Sequence, residues 1–384
     1  MLKLENMERI EKIFDPVNLD DFQGKYFNKK ALFVPGHECK FSHVMNWENL
    51  NTVLDNSILP DVNLILVKKS QHEECRSISE LRSRLNDGYT LVLNNLHRKF
   101  KPVGILAEEI GRYFNEPTQV NLYLSQSDVN GFDMHYDTHD VLIFQLYGSK
   151  HWDIYHPTVE KPVFIMKEHG KDKPTTAPYA DLTLTPGDLL YIPRGHWHLP
   201  ISSGNEPSLH LTLGVRSRTG LDFLEWLKGE LSESLSWRES FTFCRDTYIQ
   251  TLKEDLINII SSNDTFDRYN DYCFMNLWTV NDLSLPYSFL ETDKSNLRNE
   301  TIYISSLLPV IIRSEHDRLI ILFKSKKITL SKKVELLINY LLGGNSIQMN
   351  YLYRYNFNLT DDEVYAIVSM LFSQGLISVR RDLT

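Results

Sequence analysis

Apolar and polar positions follow two different rhythms along this chain. Between Val120 and Val215 the rhythm has period two, in short runs: VNLYLS, VLIFQLY, KHWDIYH, DLTLT, DLLYIP and SLHLTLGV. Successive side chains of an extended chain point to opposite faces, so each run predicts a strand. Turn chemistry separates them, as at TPGD (185–188) and SGNEP (203–207). Short strands at this spacing predict a barrel or jelly roll. Upstream, residues 1–60 predict short helices around one strand at ALFVP (31–35), and DVNLILVKK (61–69) and YTLVLNNL (89–96) predict two more strands. A helix is expected from Pro102 to Phe114, where Ile105, Leu106, Ile110 and Phe114 recur at helical spacing.

After Arg218 the rhythm becomes helical. Residues 221–262 carry DFLEWLKGEL and then Ile249, Leu252, Leu256, Ile259 and Ile260, while SSNDTFDRYND (261–271) predicts a loop. TIYISSLLPVIIR (301–313) and RLIILFK (318–324) predict a hairpin around SEHD. Three helices follow, at 331–342, through QMNYLYRY, and from Thr360, where Glu363 three residues on completes a capping box. LISVRR (376–381) adds a strand, and together these outline a winged helix. The expected fold class is therefore mixed α+β: a double-stranded β-helix core with N-terminal additions over 1–217, a helical region over 218–298 and a winged helix over 299–384.

Composition narrows the function classes. At 384 residues the chain exceeds what one growing core serves, and 42% hydrophobic with 24% charged residues describes a soluble globular protein. A formal charge of −9 argues against a broad nucleic-acid-binding surface. Over 328–384 five basic residues (332, 333, 354, 380, 381) balance five acidic ones (335, 361, 362, 363, 382), and the third helix opens on Asp361-Asp362-Glu363, which would repel phosphates. No DNA binding is expected. The 4 cysteines are dispersed, as in a reducing compartment. The opening MLKLENMERIEKIFD lacks an apolar signal core, and no uncharged apolar run is long enough to span a bilayer. The expectation is a cytoplasmic protein with no membrane contact.

One hexapeptide concentrates the chemistry: HYDTHD, residues 135–140. In an extended segment His135 and Asp137 share a face, and together they supply two legs of the facial triad that holds non-haem Fe(II). Taken alone such a pair is as readily a polar loop. GDLLYIPRGHWH (187–198) offers the third leg, with Gly187, Pro193, Gly195 and His198 at intervals that resemble the second motif of the cupin barrel. His196 and His198 both lie on the HWH turn, and the two-residue gap after Gly195 selects His198. Val141 stands where many cupins carry a glutamate ligand, so Asp137 takes that role. His139 and Asp140 are the spare polar residues of this stretch; His139 could replace a ligand, but the cupin spacing favours His135 and leaves His139 a loop or pocket-rim role.

HYDTHDVLIFQLYGSKHWDIY as a whole resembles the JmjC-type Fe(II)/2-oxoglutarate oxygenases, most of all their ribosomal-oxygenase branch. The resemblance implies Fe(II) on His135, Asp137 and His198, with 2-oxoglutarate and O2 as cosubstrates. It also implies a basic residue for the far carboxylate of 2-oxoglutarate, and Lys150 occupies that place, with Tyr123 sharing the carboxylate and Asn121 on the same face of its strand. A solvated strand-end lysine and a packed barrel tyrosine are the plainer alternatives. If Leu209, Leu211 and Leu213 pack outward, His210 faces the lumen beside them. The implied activity is hydroxylation of an amino-acid side chain in a protein or peptide, a ribosomal protein by family analogy. The same analogy makes 218–298 a homodimer interface. Tailoring of a small precursor peptide, histone-type demethylation, a non-oxidative cupin and a non-catalytic winged-helix regulator are the competing readings.

Overall fold

Each of the period-two runs is a strand in the computed structural model, which describes the chain except for residues 1, 57–62, 76, 127–130, 167–171, 204–205, 241–245, 277–300, 304–309, 324–325, 344–345 and 381–384. Among the described residues eleven strands build the barrel part: β1 (Leu32–Val34), β2 (Asn63–Lys68), β3 (Gln71–Glu74), β4 (Thr90–Asn94), β5 (Thr118–Ser125), β6 (Asp140–Tyr147), β7 (Ser149–Tyr155), β8 (Ala180–Leu184), β9 (Leu189–Ile192), β10 (Trp197–Ser203) and β11 (Ser208–Val215). They form an eight-stranded sheet in the order β1-β9-β6-β11-β5-β4-β2-β3 and a three-stranded sheet β10-β7-β8. The pairings are antiparallel. This is a jelly-roll barrel with its large sheet extended at both edges.

Two apolar layers hold it. Leu122, Leu124, Leu142, Phe144, Leu209, Leu211 and Leu213 share one buried cluster with Val103, Leu106, Ala107 and Ile110 of the helix Lys101–Phe114. Strand alternation then sends the other side chains inward, where Val141, Ile143, Trp152, Ile154, Leu184, Leu190 and Ile192 pack between the sheets. Burial of each such side chain contributes about 1.5–3 kcal/mol, enough to fix the strand register face by face. The leucines of β11 do pack outward, which leaves His210 and Thr212 on the inner face.

β10 corrects the reading of HWH as a turn. Trp197–Ser203 is a full strand, paired with β7 from Trp197↔Tyr155 to Ser203↔Ser149. Pro200 obscures it in the sequence, yet a proline is tolerated at the edge of a sheet, where no neighbour needs its missing N–H. The predicted loop at 261–271 is also mostly helix, Thr265–Met275. Thr265 and Cys273 are buried there, and the Tyr269 ring meets Phe223 at 5.0 Å and Trp226 at 5.4 Å. Tertiary packing of one aromatic face outweighs the polar composition.

The chain divides into two compact units, and not at 298/299. One comprises 1–216, 278–308 and 334–384; the other comprises 217–277 and 309–333. In the second unit the helices Gly220–Leu231, Leu235–Arg238, Asp246–Ser261 and Thr265–Met275 accompany a three-stranded sheet, β13 (Ile311–Glu315), β14 (Arg318–Phe323) and β15 (Lys326–Ser331). The expected hairpin around SEHD is thus β13–β14, while TIY forms the separate strand β12 (Thr301–Tyr303). In the first unit β12 lies between β16 (Ile347–Gln348) and β17 (Ser378–Arg380), alongside the helices Glu335–Leu342, Met349–Leu352 and Asp361–Ser373. The capping box of the last helix forms through Thr360 and Glu363. The helical expectation for 277–298 lies outside the described residues. No helix among the described residues is long and apolar enough to cross a membrane.

Candidate active site

Backbone pairing brings the two halves of the HYDTHD and HWH motifs together. His135 and His198 form an isolated antiparallel bridge, His135 N donating to His198 O at 3.1 Å and His198 N to His135 O at 2.8 Å. Gly195 N donates to Asp137 O at 2.8 Å and closes the zip one turn further on. Gly195 itself has φ +84°, and a Cβ there would lie 2.6 Å from Pro162 Cδ and 2.9 Å from the Val159 carbonyl oxygen, so only glycine fits the bend. The bridge adds His135 to the free edge of β10, and both imidazoles then rise from one side of the small sheet with ring centroids 4.3 Å apart.

One ligand atom each from His135, Asp137 and His198 lies within 4.8 Å of the other two. His198 Nε2 stands 3.7 Å from Asp137 Oδ2. The free ring nitrogen of each histidine can be assigned. His135 Nδ1 lies 2.7 Å from the Asp133 carbonyl oxygen and His198 Nδ1 lies 3.1 Å from that of His196. A carbonyl only accepts, so both Nδ1 atoms carry hydrogen and both Nε2 atoms keep a lone pair. Burial, then the neighbouring His135, pushes His198 down to about 4, which keeps its imidazole neutral at ordinary pH. Two imidazole nitrogens and a carboxylate oxygen are a donor set that suits a divalent first-row metal.

The pocket residues face the same interior. Lys150 on β7 is 4% exposed, and its Nζ donates to Ser125 Oγ of β5 at 2.9 Å. Burial lowers its pKa to about 8. An ammonium this deep, opposite a neutral hydroxyl, is suited to an incoming anion. Tyr123 stacks on His210 at 5.1 Å with an interplanar angle of 5°, as their register pairing in β5 and β11 requires. Burial pushes the Tyr123 hydroxyl up to about 12, and the Asn121 side chain hydrogen-bonds it. Asn121 Oδ1 in turn accepts from Asn95 N at 3.0 Å, so Asn121 aims the tyrosine. His210 is buried with Nδ1 unpartnered, and burial with the nearby Lys150 charge keeps it well below its usual value.

Two residues at this site had no assignment from sequence. Ser125 shares the face of Asn121 and Tyr123 by alternation along β5, and Trp152 shares that of Lys150 along β7. The Trp152 ring lies 6.0 Å from His198 and 5.9 Å from His210, with Nε1 buried and unpartnered. Period two was the available signal for both. Asp140, left without a role by the sequence, is fully buried and structural: it accepts from Tyr191 Oη at 2.8 Å and Arg194 N at 3.3 Å. The His139 ring packs on Gly214, where a Cβ would lie 2.5 Å from it. His196 turns away to Tyr179, Nδ1 to Oη 2.7 Å. A second cluster, His151, Asp153 and Asp181, sits on the opposite face of β7 and β8 with the Asp181 side chain 69% exposed.

Residues 95–223 match the JmjC domain family model, and they contain the triad and the Lys150 pocket. Across this stretch the chain is similar to JmjC domains. Over 214 residues the chain is 28% identical to the bifunctional lysine-specific demethylase and histidyl-hydroxylase NO66 of Dictyostelium discoideum, covering 53% of the chain and 42% of that protein. It is 27% identical over 228 residues to ribosomal oxygenase 2 of Mus musculus, covering 53% and 46% respectively. The chain thus spans less than half the length of these curated relatives. Its fold resembles the Escherichia coli ribosomal oxygenase YcfD in complex with cobalt and 2-oxoglutarate, with a TM-score of 0.62 at 16% identity over 95% of this chain and 99% of that one. At that identity the likeness speaks for the fold. The likeness in mixed α+β fold extends over nearly the whole chain.

Proposed function

We propose that this protein is an Fe(II)- and 2-oxoglutarate-dependent dioxygenase that hydroxylates an amino-acid side chain of a protein or peptide. Lys150 carries the reading: a buried ammonium opposite a hydroxyl, on the inward face of the sheet that also bears His198. A non-oxidative cupin has no need of a desolvated cation there, whereas a dicarboxylate held at its other end by a metal supplies the missing countercharge. His198 pairs with Ile154, four residues along β7 from Lys150, a backbone span of about 13 Å at strand rise.

In this reading His135, Asp137 and His198 hold the iron by three donors on one side. When bound, Fe(II) and 2-oxoglutarate supply the oxidative chemistry, in which O2 converts the keto acid to succinate and CO2 and leaves one oxygen atom in a C–H bond of the target. The chain contributes position and environment. Lys150 donates to the far carboxylate, and Tyr123, aimed by Asn121, shares it. Neutral His210 offers its unpartnered nitrogen beside them. Val141, Ile143, Ile154, Leu190 and Ile192 wall the interior and exclude water, which limits unproductive oxidation.

The substrate class is a polypeptide of ribosomal-protein type, in keeping with the relatives' names, and a formal charge of −9 favours a basic partner. Residues 1–217 form the catalytic domain in this proposal. The helices over 220–275 hold a homodimer together, and the C-terminal helices with their small sheet act as a winged helix that docks protein and not DNA. The test compares proteomes of a wild-type and a His135→Ala strain for peptides that gain one oxygen atom, with succinate release measured on the purified chain. Release no greater than in His135→Ala overturns the reading.

A further inference from the structure

Lys150 is placed to act as more than a fixed charge. Its side chain crosses from the small sheet to the large one, and Ser125, fully buried, meets it there at 2.9 Å. On its own strand the inward neighbour is Trp152; across β8 its register partner is Leu184. The titratable groups facing it are His210 on β11 and, stacked on His210, Tyr123 on β5. Both are uncharged in this setting, and Asp137 acts on Tyr123 without acting on Lys150. Among the described residues no carboxylate compensates the ammonium.

The choice of a hydroxyl as partner matters. A carboxylate would lock the ammonium form by a charge-assisted bond. A serine hydroxyl accepts from an ammonium and donates to an amine, so it serves both protonation states, the charged one more strongly.

We propose that Lys150, parked on Ser125, is a proton-accepting anchor: entry of a carboxylate-ended ligand draws a proton from solvent onto the lysine, so that 2-oxoglutarate binding consumes a proton at alkaline pH. The inference rests on the cosubstrate reading above. The balance is simple, since the neutral amine and one buffer proton give an ammonium, and that ammonium donates to the ligand carboxylate with no other bond changed. The sign follows from linkage. Burial holds the ligand-free lysine at about 8, and an adjacent carboxylate raises it. Below that value the lysine is already charged and affinity is independent of pH. Above it, each pH unit weakens binding roughly tenfold until the raised value is passed.

Calorimetric titration of 2-oxoglutarate into the Mn(II)-loaded full chain, at pH 7, 8.5 and 9.5 in buffers of unlike ionisation enthalpy, reads both affinity and protons taken up. The expected result is almost no uptake at pH 7, nearly one proton at pH 9.5, and the tenfold decline between the two upper values. In Lys150→Arg the guanidinium stays charged, so uptake disappears and the affinity profile flattens. Ser125→Ala removes the hydroxyl partner of the ammonium and moves the break in affinity to lower pH. Affinity of the wild type that stays level to pH 9.5, or equal uptake in Lys150→Arg, overturns the inference; if that variant does not fold, an unmoved break in Ser125→Ala does so. Failure to bind 2-oxoglutarate at any pH overturns the cosubstrate reading itself, which sets the two failures apart.

Discussion

At the scale of single residues, the site separates into groups that carry charge and groups that hold those charges still. Lys150→Ala removes a charge-assisted contact worth about 1.5–3 kcal/mol, so 2-oxoglutarate affinity is expected to fall about 10- to 100-fold while Mn(II) affinity is unchanged. Calorimetry with metal and cosubstrate titrated separately checks the split, and a parallel loss of metal affinity counts against the pocket assignment. Asp137→Ala should show the reverse order, losing metal first. That His135, Asp137 and His198 come together was legible because strand alternation and motif spacing act on the residues themselves, whereas Lys150 entered only through the family resemblance. The orientation of the rings was not legible. It depends on the carbonyls of Asp133 and His196, and backbone carbonyls have no signature in sequence. Ser125 and Trp152 stood on predicted faces, but a serine and a tryptophan on an inward face are ordinary until a lysine is seen to end between the sheets.

Elements show where local pattern suffices and where it is outvoted. The barrel strands were readable because each carries its own alternation, and the helix Lys101–Phe114 because its apolar stripe is unbroken. β10 was not, since Pro200 and the clustered histidines look like a turn unless an edge position is known. The helix Thr265–Met275 was hidden in polar composition and is held by Tyr269 against Phe223 and Trp226. A different tie joins the short helical turn Leu96–Arg98 to β5: Val120 N donates to His97 Nδ1 at 3.1 Å. A backbone N–H only donates, so this nitrogen must be unprotonated, and burial lowers His97 to about 4. Between the unfolded value of 6.5 and that figure the unfolded chain binds more protons. The stabilisation is therefore complete above pH 6.5 and is lost as pH falls towards 4. Thermal melts of the metal-free protein should show Tm declining over this window. His97→Gln should melt lower at pH 7 yet decline less steeply, and an equally steep decline removes His97 as a cause.

For the molecule as a whole, long-range grouping was the least legible property, because Pro309–Lys333 joins the helices of 217–277 across a long stretch of intervening chain. No local rhythm announces which sheet a hairpin will accompany. That second unit leaves large apolar side chains in solvent on three helices: Leu221 and Leu224, Ile257 and Ile260, and Phe266, the last at 68%. Scattered exposed leucines are ordinary, but a set this dense in one small unit points to a surface that another chain covers. The proposed homodimer is the occupant in keeping with the ribosomal-oxygenase resemblance, and it gives a prediction at this scale. Light scattering of the full chain at low micromolar concentration should return twice the mass of 44.9 kDa. Placing charges on two of these helices, as in Ile257→Glu with Phe266→Glu, desolvates two carboxylates on association and should shift the mass to that of one chain. Both side chains lie outside the residues assigned to metal and cosubstrate, so Mn(II) and 2-oxoglutarate affinities should stay within a factor of two. A single-chain mass for the unaltered protein leaves the apolar helices without this partner, and loss of cosubstrate binding in the double variant instead makes the unit a support of the barrel.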